Sequence, residues 1–468
     1  MSHKLGVCIP YRNRKEHVER LIPHLSKHLT NQGIDHTFYV GHQIDDKLFN
    51  RGAMKNIAAY YAFEDGCDYI AWHDVDMLIY DKDGTIADYS YPEENPLHIA
   101  TKLSKYGYGI GYDQYFGGVV LFTKEQVERT NGYSNEYWDW GQEDDDLFWR
   151  CYYEKYTTGK VFKKYENKSV ANFDGQPSKV VIPTNREISS CLHNEHTISI
   201  LFKAEQQPEK VPIWLVGDPA KRFIEYPLIR KEGSATWGLS FNNSRAVSMV
   251  LNDKNGFVYN YGKRFENLWT WVTLSYSQEK GGAHFYINDE LIAHINGTKQ
   301  NIPFPYIDVL KGHDAVRPFY IGFCPQTNVH FKGQIAEVKI FDKFFDNIED
   351  VFDNKETVLY SQFMDDENIN LMDVTLTKES IEVVENILPY RREGSFYCLP
   401  HVDEGYMNGG WVKGETTARN EKRFVTEMQQ RKIDYKNDGL NNILSVMDIV
   451  NIDVSLYPNT KFINVKMK

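Results

Sequence analysis

The chain has 468 residues, with 53 Lys and Arg against 65 Asp and Glu, for a formal net charge of −12. That length allows two or three domains, and 41% hydrophobic with 25% charged residues is a globular composition. The acidic balance, without a long Lys/Arg run, argues against nucleic acid as a partner; no run of 18 apolar residues offers a membrane span; and six scattered cysteines form neither a disulfide framework nor a zinc signature.

From the N-terminus, "KLGVCIP" (4–10) reads as a buried strand closed by Pro10. With no charged leader ahead of it, the expected setting is reducing and cytoplasmic. "KEHVERLIPHLSKHL" carries Val18, Leu21, Ile22, Leu25 and Leu29 at helical spacing. "HTFYVGHQ" is a strand, "RGAMKNIAAYYAFED" a helix, and "CDYIAWHDVDM" a strand running into acids. Alternating strand and helix predicts an α/β layer with a mainly parallel sheet, whose ligands sit beyond the carboxyl ends of the strands. Further on, "DDLFWRCYYEKY" has helical character.

The character changes near residue 194. "HTISILFKAE", "ATWGLSFNN", "AVSMVLND", "WTWVTLSYS", "AHFYINDELIAHING", "RPFYIGFC" and "GQIAEVKIFD" are short alternating runs divided by turn residues, the pattern of an all-β sandwich. "NIEDVFDNKETVLYSQFMDDENINLMD" reads as an acidic connector, and the mixed C-terminal stretch ends in the strand "KFINVKM".

Three clusters can carry chemistry. Asp74 and Asp76 in "WHDVDM" stand at i and i+2 beyond a strand, so both carboxylates share a face and suit a hard cation with phosphate oxygens as co-ligands; a solvated turn is the plain alternative. Arg12 and Arg14 follow the first strand, and Arg51 opens a helix, all places suited to a pyrophosphate, although single surface arginines usually only solubilise. In "WDWGQEDDDLFWR", Glu143, Asp144, Asp145 and Asp146 follow a Trp-Gly turn. Burying such a run is costly unless each carboxylate serves a distinct purpose, as a general base, a sugar-hydroxyl acceptor or a helix cap. Trp138 and Trp140 offer stacking faces for a sugar ring. The plain reading is an acidic helix start on the surface.

In order and spacing, "IPYRNRKEH", "FNRGAMKN", "DVDM", "KYGY", "QYFGGVVLFTKEQ" and "NGYSNEYWDWGQEDDDLFWR" resemble the β-1,4-galactosyltransferase family, glycosyltransferase family 7, over roughly residues 4–150. The stretch 420–467, with "DGLNN" and the closing strand, resembles the family's C-terminal end. Residues 194–345 resemble a concanavalin-like or laminin-G-like sandwich through "WTWVTLSY", "AHFYINDELI" and "FKGQIAEVKIFD". The expected organisation is an α/β glycosyltransferase-A-type (Rossmann-like) catalytic domain in two parts, 1–190 and 376–468, around an inserted jelly-roll sandwich with its connector at 191–375.

The resemblance implies inverting transfer of galactose from UDP-galactose to a sugar hydroxyl in a β-1,4-type linkage, with Mn²⁺ as cofactor and Mg²⁺ as the alternative. It implies donor binding by Pro10, Tyr11, Arg12, Arg14, Phe49, Arg51, Asp74, Lys105, Tyr115, Gly118 and Trp140. It makes Asp144 the catalytic base, with Glu143 and Asp145 holding sugar hydroxyls, and Asp76 a metal ligand. Tyr115, just before "FGG", favours UDP-galactose over UDP-N-acetylgalactosamine. The Trp140 loop would close over the donor and exclude water.

Some residues depart from the pattern. No histidine follows the acid cluster closely, so His401 in "CLPH" is assigned as the second metal ligand, with His193 and His196 as rivals and Cys398 able to take a further ligand position. Asp139 stands where the family's tryptophan loop has glycine. After Arg423 and Phe424, Glu427 replaces an apolar residue near the acceptor's N-acetyl group, pointing to xylose or an unmodified hexose. The alternatives are transfer from UDP-N-acetylgalactosamine or UDP-glucose, or a non-catalytic carbohydrate-binding protein. The inserted sandwich is expected to bind glycan or protein, with a scaffold or oligomer contact as the plain alternative.

Overall fold

A computed structural model describes residues 3–182 except 176, then 195–205, 225–231, 237–242, 247–250, 268–296 except 278 and 281, 319–324, 329–361 except 355 and 358, 369–400 except 386, 406–407, 410–411, 415–428, and 433–468 except 455. The chain forms two compact units: Met1–Gly159 with Asn386–Lys468, and Lys160–Glu385.

The first unit is built on a seven-stranded sheet. β1 (Lys4–Tyr11) lies between β2 (Asp35–Gln43) and β3 (Tyr69–His73), parallel to both, with Val7 opposite Phe38 and Ala71. The helix α1 (Lys15–Asn31) joins β1 to β2 and buries Val18, Leu21, Ile22, Leu25 and Leu29, the stripe its spacing predicts. The helix α2 (Arg51–Glu64) joins β2 to β3. The last strand of the chain, Thr460–Met467, pairs in parallel with β2, Val40 opposite Phe462, and turns the far end of the sequence into part of the same core. Three strands run antiparallel to their neighbours: Met447–Asp453 beside the last strand, β7 (Val119–Thr123) beside β3, and β5 (Leu97–His98) beside β7. The sheet is therefore mixed, with three parallel and three antiparallel ladders, rather than mainly parallel. The parallel pairs β2–β1 and β1–β3 have crossover helices; β7 has no such connection and returns antiparallel.

A small sheet places Ser395–Cys398 between β4 (Met77–Ile79) and β6 (Lys102–Leu103), so the C-terminal segment also threads the region just after β3. Two further helices, α3 (Lys124–Thr130) and α4 (Glu143–Tyr153), follow β7.

Among the described residues the second unit holds an eight-stranded sheet, a six-stranded sheet and a small two-stranded one, and their strands pair antiparallel. Trp271, Val338 and Phe341 are among its fully buried side chains. Its first strand, Lys160–Asp174, pairs with its last, Thr375–Glu385, and Lys160 lies opposite Glu385. Both ends of this unit thus emerge side by side. The units divide at 159/160 and 385/386, whereas the domain bounds expected from the sequence fall at 190/191 and 375/376. The difference lies in these two strands, the first rich in Lys and the second in Glu, which are largely exposed and carry little apolar alternation to mark them as sheet. The connector likewise contains a short helix, Glu349–Asp353, and strands Leu359–Ser361 and Asn370–Met372.

Candidate active site

The polar groups collect beyond the carboxyl ends of β1 and β3, at the N-termini of α2 and α4. Asn50 caps α2, its side chain accepting from the Ala53 amide at 2.9 Å. It also donates to the Asn135 carbonyl at 2.6 Å, while Asn56 donates to the Tyr133 carbonyl and to the Asn135 side chain. The stretch "NGYSN" (131–135) is thereby held to α2. The segment Asp438–Asn442 holds it from the other side: the Asp438 carboxylate accepts from the Asn135 amide at 2.8 Å and from Ser134, and Asn135 donates to the Gly439 carbonyl and to Asn442. This is the local role of "DGLNN".

Each of the four acids at the start of α4 has its own partner, and together they face the positive end of the helix dipole. Glu143, 4% exposed, pairs with Arg51. Asp145 accepts from Tyr112 at 2.7 Å. Asp146, fully buried, accepts from Arg150 at 2.6 Å and from Tyr137 at 3.0 Å, an architectural pair. Asp144 lies 3.5 Å from the Lys55 ammonium and accepts from the Tyr133 hydroxyl at 3.2 Å. Its other oxygen packs against Gly117, where an added Cβ would stand only 2.4 Å away. At Gly118 φ is +81°, and an added Cβ would meet Ala100 and Met77 at 3.0 and 3.1 Å. The two glycines let the backbone before β7 pass between the acid cluster and β4, with the Gly118 carbonyl accepting from the Asp74 amide at 2.9 Å.

These contacts separate the two central carboxylates. Burial pushes the Asp144 carboxyl up to about 6 against the pull of Lys55, with Glu143 and Asp74 adding to the rise. Burial also acts on Asp74, but Lys55, 3.1 Å away, and Arg51 outweigh it and hold its pKa below the usual carboxylate value. One half-buried acid is thus held ionised and the other has its pKa raised toward neutrality, the arrangement a general base needs. Lys55 itself is 1% exposed. Sequence reasoning missed both Lys55 and Tyr133. The available signal was spacing: Lys55 stands four residues after Arg51 on the same helix, and hence on the same face.

The remaining expected residues divide into three groups. Pro10 is buried in β1, Tyr11 packs its ring 4.7 Å from that of His42, and the Arg12 guanidinium lies over the Phe49 ring at 5.0 Å. Arg14 stands at the N-cap of α1. Tyr115, 8% exposed, sits among Tyr106, Tyr112 and His98. Burial works against the charge on Lys105, but Tyr106, Asp76, Cys398 and Asp74 outweigh it and raise its pKa. Trp140 is half-buried in a loop fixed by Asn420, which donates to the Trp138 and Trp140 carbonyls at 2.8 and 3.2 Å, and by the Asp139 amide, which donates to the Phe49 carbonyl at 2.7 Å. Asp139 has φ +66°, the left-handed region glycine enters most easily and aspartate tolerates. Glu427 pairs with Arg423 at 3.3 Å, and Arg423 reaches Asp438 at 3.0 Å.

Among the described residues, no three His, Cys, Asp or Glu side chains form a metal cage. The Leu399 amide donates to the Asp76 carbonyl at 2.8 Å, which brings the end of the strand Ser395–Cys398 beside Asp76. The Cys398 thiol lies 3.7 Å from the Met77 sulfur. His401, and with it the rival His193, lies outside the described residues. His196 is buried in the second unit, where burial pushes its pKa down to about 3. Asp76 and Asp74 both act on Lys105, so two carboxylates, hard oxygen donors of the kind a divalent cation takes, stand near one another there.

Residues 1–86 match a family model described as the N-terminal region of glycosyl transferase group 7, and residues 97–171 one described as the N-terminal domain of galactosyltransferase. The chain is similar to β-1,4-galactosyltransferase 7 of Drosophila melanogaster, 40% identical over 149 residues, 32% of this chain and 44% of that protein. It is also similar to human β-1,4-galactosyltransferase 4, 39% identical over 145 residues, 31% of this chain and 41% of that protein. The match thus spans about two fifths of the length of these relatives. A solved structure of a mutant of the Drosophila enzyme with manganese, UDP-Gal and xylobiose is 34% identical over 33% of this chain and 62% of that one, with a TM-score of 0.29. These relatives overturn the cytoplasmic setting expected above, because β-1,4-galactosyltransferases are enzymes of the Golgi lumen. Among the described residues no helix is long and apolar enough to cross a membrane.

Proposed function

The chain belongs to the β-1,4-galactosyltransferase family, glycosyltransferase family 7, and from that premise we propose that it transfers galactose from UDP-galactose to a sugar hydroxyl with inversion at the anomeric carbon. The observation that carries the reading is Asp144: a half-buried carboxylate with its pKa raised to about 6, seated against Gly117 and next to Tyr115. It accepts the acceptor hydroxyl's proton as that oxygen attacks the anomeric carbon and UDP leaves from the opposite face. Arg12 and Phe49 take the nucleotide, Lys105 the diphosphate, and Tyr115 lines the donor side of the sugar pocket, leaving little room for an N-acetyl group. Glu143 and Asp145 hold sugar hydroxyls. The Trp140 loop excludes water from the donor.

Asp76 and His401 would hold Mn²⁺, which supplies charge stabilisation for a leaving diphosphate when bound. The unit 160–385 is read as an inserted jelly-roll of the concanavalin or laminin-G kind that binds glycan or protein. Support for an insertion comes from its paired first and last strands, since insertions succeed where the two ends lie close together.

The test is release of UDP from a panel of UDP-sugars with Mn²⁺ or EDTA, for wild type and Asp144→Asn. Acceptors should include xylosides, because the Drosophila relative's structure holds xylobiose. Metal-dependent turnover of UDP-galactose, lost in Asp144→Asn, is the expected result. Donor binding without turnover for every acceptor would favour a carbohydrate-binding protein.

A further inference from the structure

We propose that Lys55 is the positioning residue of this site: its buried ammonium bridges Asp74 and Asp144, holds the two carboxylates at fixed separation and keeps Asp144 ionised for catalysis. This rests on the reading of Asp144 as the base. The geometry is specific. The ammonium lies 3.1 Å from Asp74, 3.5 Å from Asp144 and 3.1 Å from the Tyr133 hydroxyl, to which it donates, and 4.6 Å from the centre of the Tyr133 ring. Tyr133 in turn donates to Asp144, closing a triangle of one cation, one phenol and one carboxylate. At 1% exposure the ammonium does not face a substrate. It acts through Asp144.

Burying an ammonium is costly unless it is paired, and here two carboxylates pair it. The same pairing serves Asp144. The charged groups facing Asp144 are Lys55 and Arg51, which favour its ionised form, and Glu143 and Asp74, which oppose it. Arg51 is engaged by Glu143, and Lys55 is the cation in contact with both Asp74 and Asp144. Without it, Asp144 faces the charges of Glu143 and Asp74 with no cation in contact with it, so it holds its proton to higher pH and loses its readiness to accept one.

The experiment compares wild type with Lys55→Met and Lys55→Gln, two neutral side chains, so that failure of one to fold leaves the other. The pH dependence of kcat/KM for UDP-galactose is measured first. Loss of an opposite charge at this distance moves a carboxyl by about 1–3 pH units, so the acidic limb moves up by about that much while the rate at high pH recovers toward wild type. A uniform loss at all pH values, with the limb unmoved, would overturn the proposal and leave Lys55 a structural residue. The second readout needs no turnover. The difference in melting temperature between each background and its Asp144→Asn derivative is followed against pH, and its midpoint reports Asp144 directly. A higher midpoint in the Lys55 variants supports the bridge even if no acceptor is found, whereas an unchanged midpoint refutes it even if galactose transfer is established.

Discussion

Asp144→Asn should make the protein more stable at neutral pH while removing its activity. Its carboxyl is raised to about 6 in the folded state from an ordinary value of 3.8. The sign follows from linkage: the folded state prefers the neutral carboxyl, so that preference stabilises fully below the unfolded pKa and is lost as pH rises through the folded one. Above pH 7 the ionised Asp144 therefore costs the fold roughly 3 kcal/mol, from about two pKa units at 1.36 kcal/mol each. Asparagine keeps the neutral shape at every pH. In a unit of this size the variant should melt higher by about 6–12 °C at pH 8, with the gain vanishing toward pH 4. Thermal denaturation in EDTA between pH 4 and 8 measures it. A variant less stable than wild type at pH 8, or a difference that does not change with pH, would refute the account of how this acid is held. A gain in stability with a loss of function is the trade-off expected of a strained catalytic group.

Three other outcomes follow from the same contacts. Arg150→Leu strands the fully buried Asp146 and should cost about 3–5 kcal/mol, read as a lower melting temperature; a loss under about 1 kcal/mol would show that the pair is dispensable. Asn420→Ala removes both hydrogen bonds to the tryptophan loop, at about 1 kcal/mol each, and should raise the ratio of donor hydrolysis to transfer several-fold; an unchanged ratio would separate Asn420 from loop closure. Replacing 161–384 by a two-residue hairpin turn should leave a folded unit that still turns over UDP-sugar, because Lys160 and Glu385 already lie opposite one another. Failure of that chain to fold would mean that the second unit is not a separable insertion.

The parts of the fold legible in the sequence were those with a clean period. The stripe of α1 and the apolar strands β1, β2 and β3 could be read because one buried face repeats along each. Lys160–Asp174 and Thr375–Glu385 could not, since they carry charge on both faces and stand as strands through pairing with each other. At the site, the acid cluster stood out by composition, but its division of labour did not: only the fold shows that Asp146 serves Arg150 while Asp144 faces Lys55. Lys55 carried no signal of its own in the sequence because both its carboxylates lie outside its own helix. Cys398 reaches Met77 only because the chain returns after the second unit to pair with β4.

The measurement that bears most directly on the central claim is the stereochemistry of the product. UDP-galactose, Mn²⁺ and a xyloside or hexoside acceptor are incubated with the enzyme, and the new anomeric proton is followed by NMR as it appears. A β-galactoside, with the large coupling of an axial–axial pair, is the result the account predicts, formed by wild type and not by Asp144→Asn. An α-galactoside, or transfer that persists undiminished in Asp144→Asn, would contradict it.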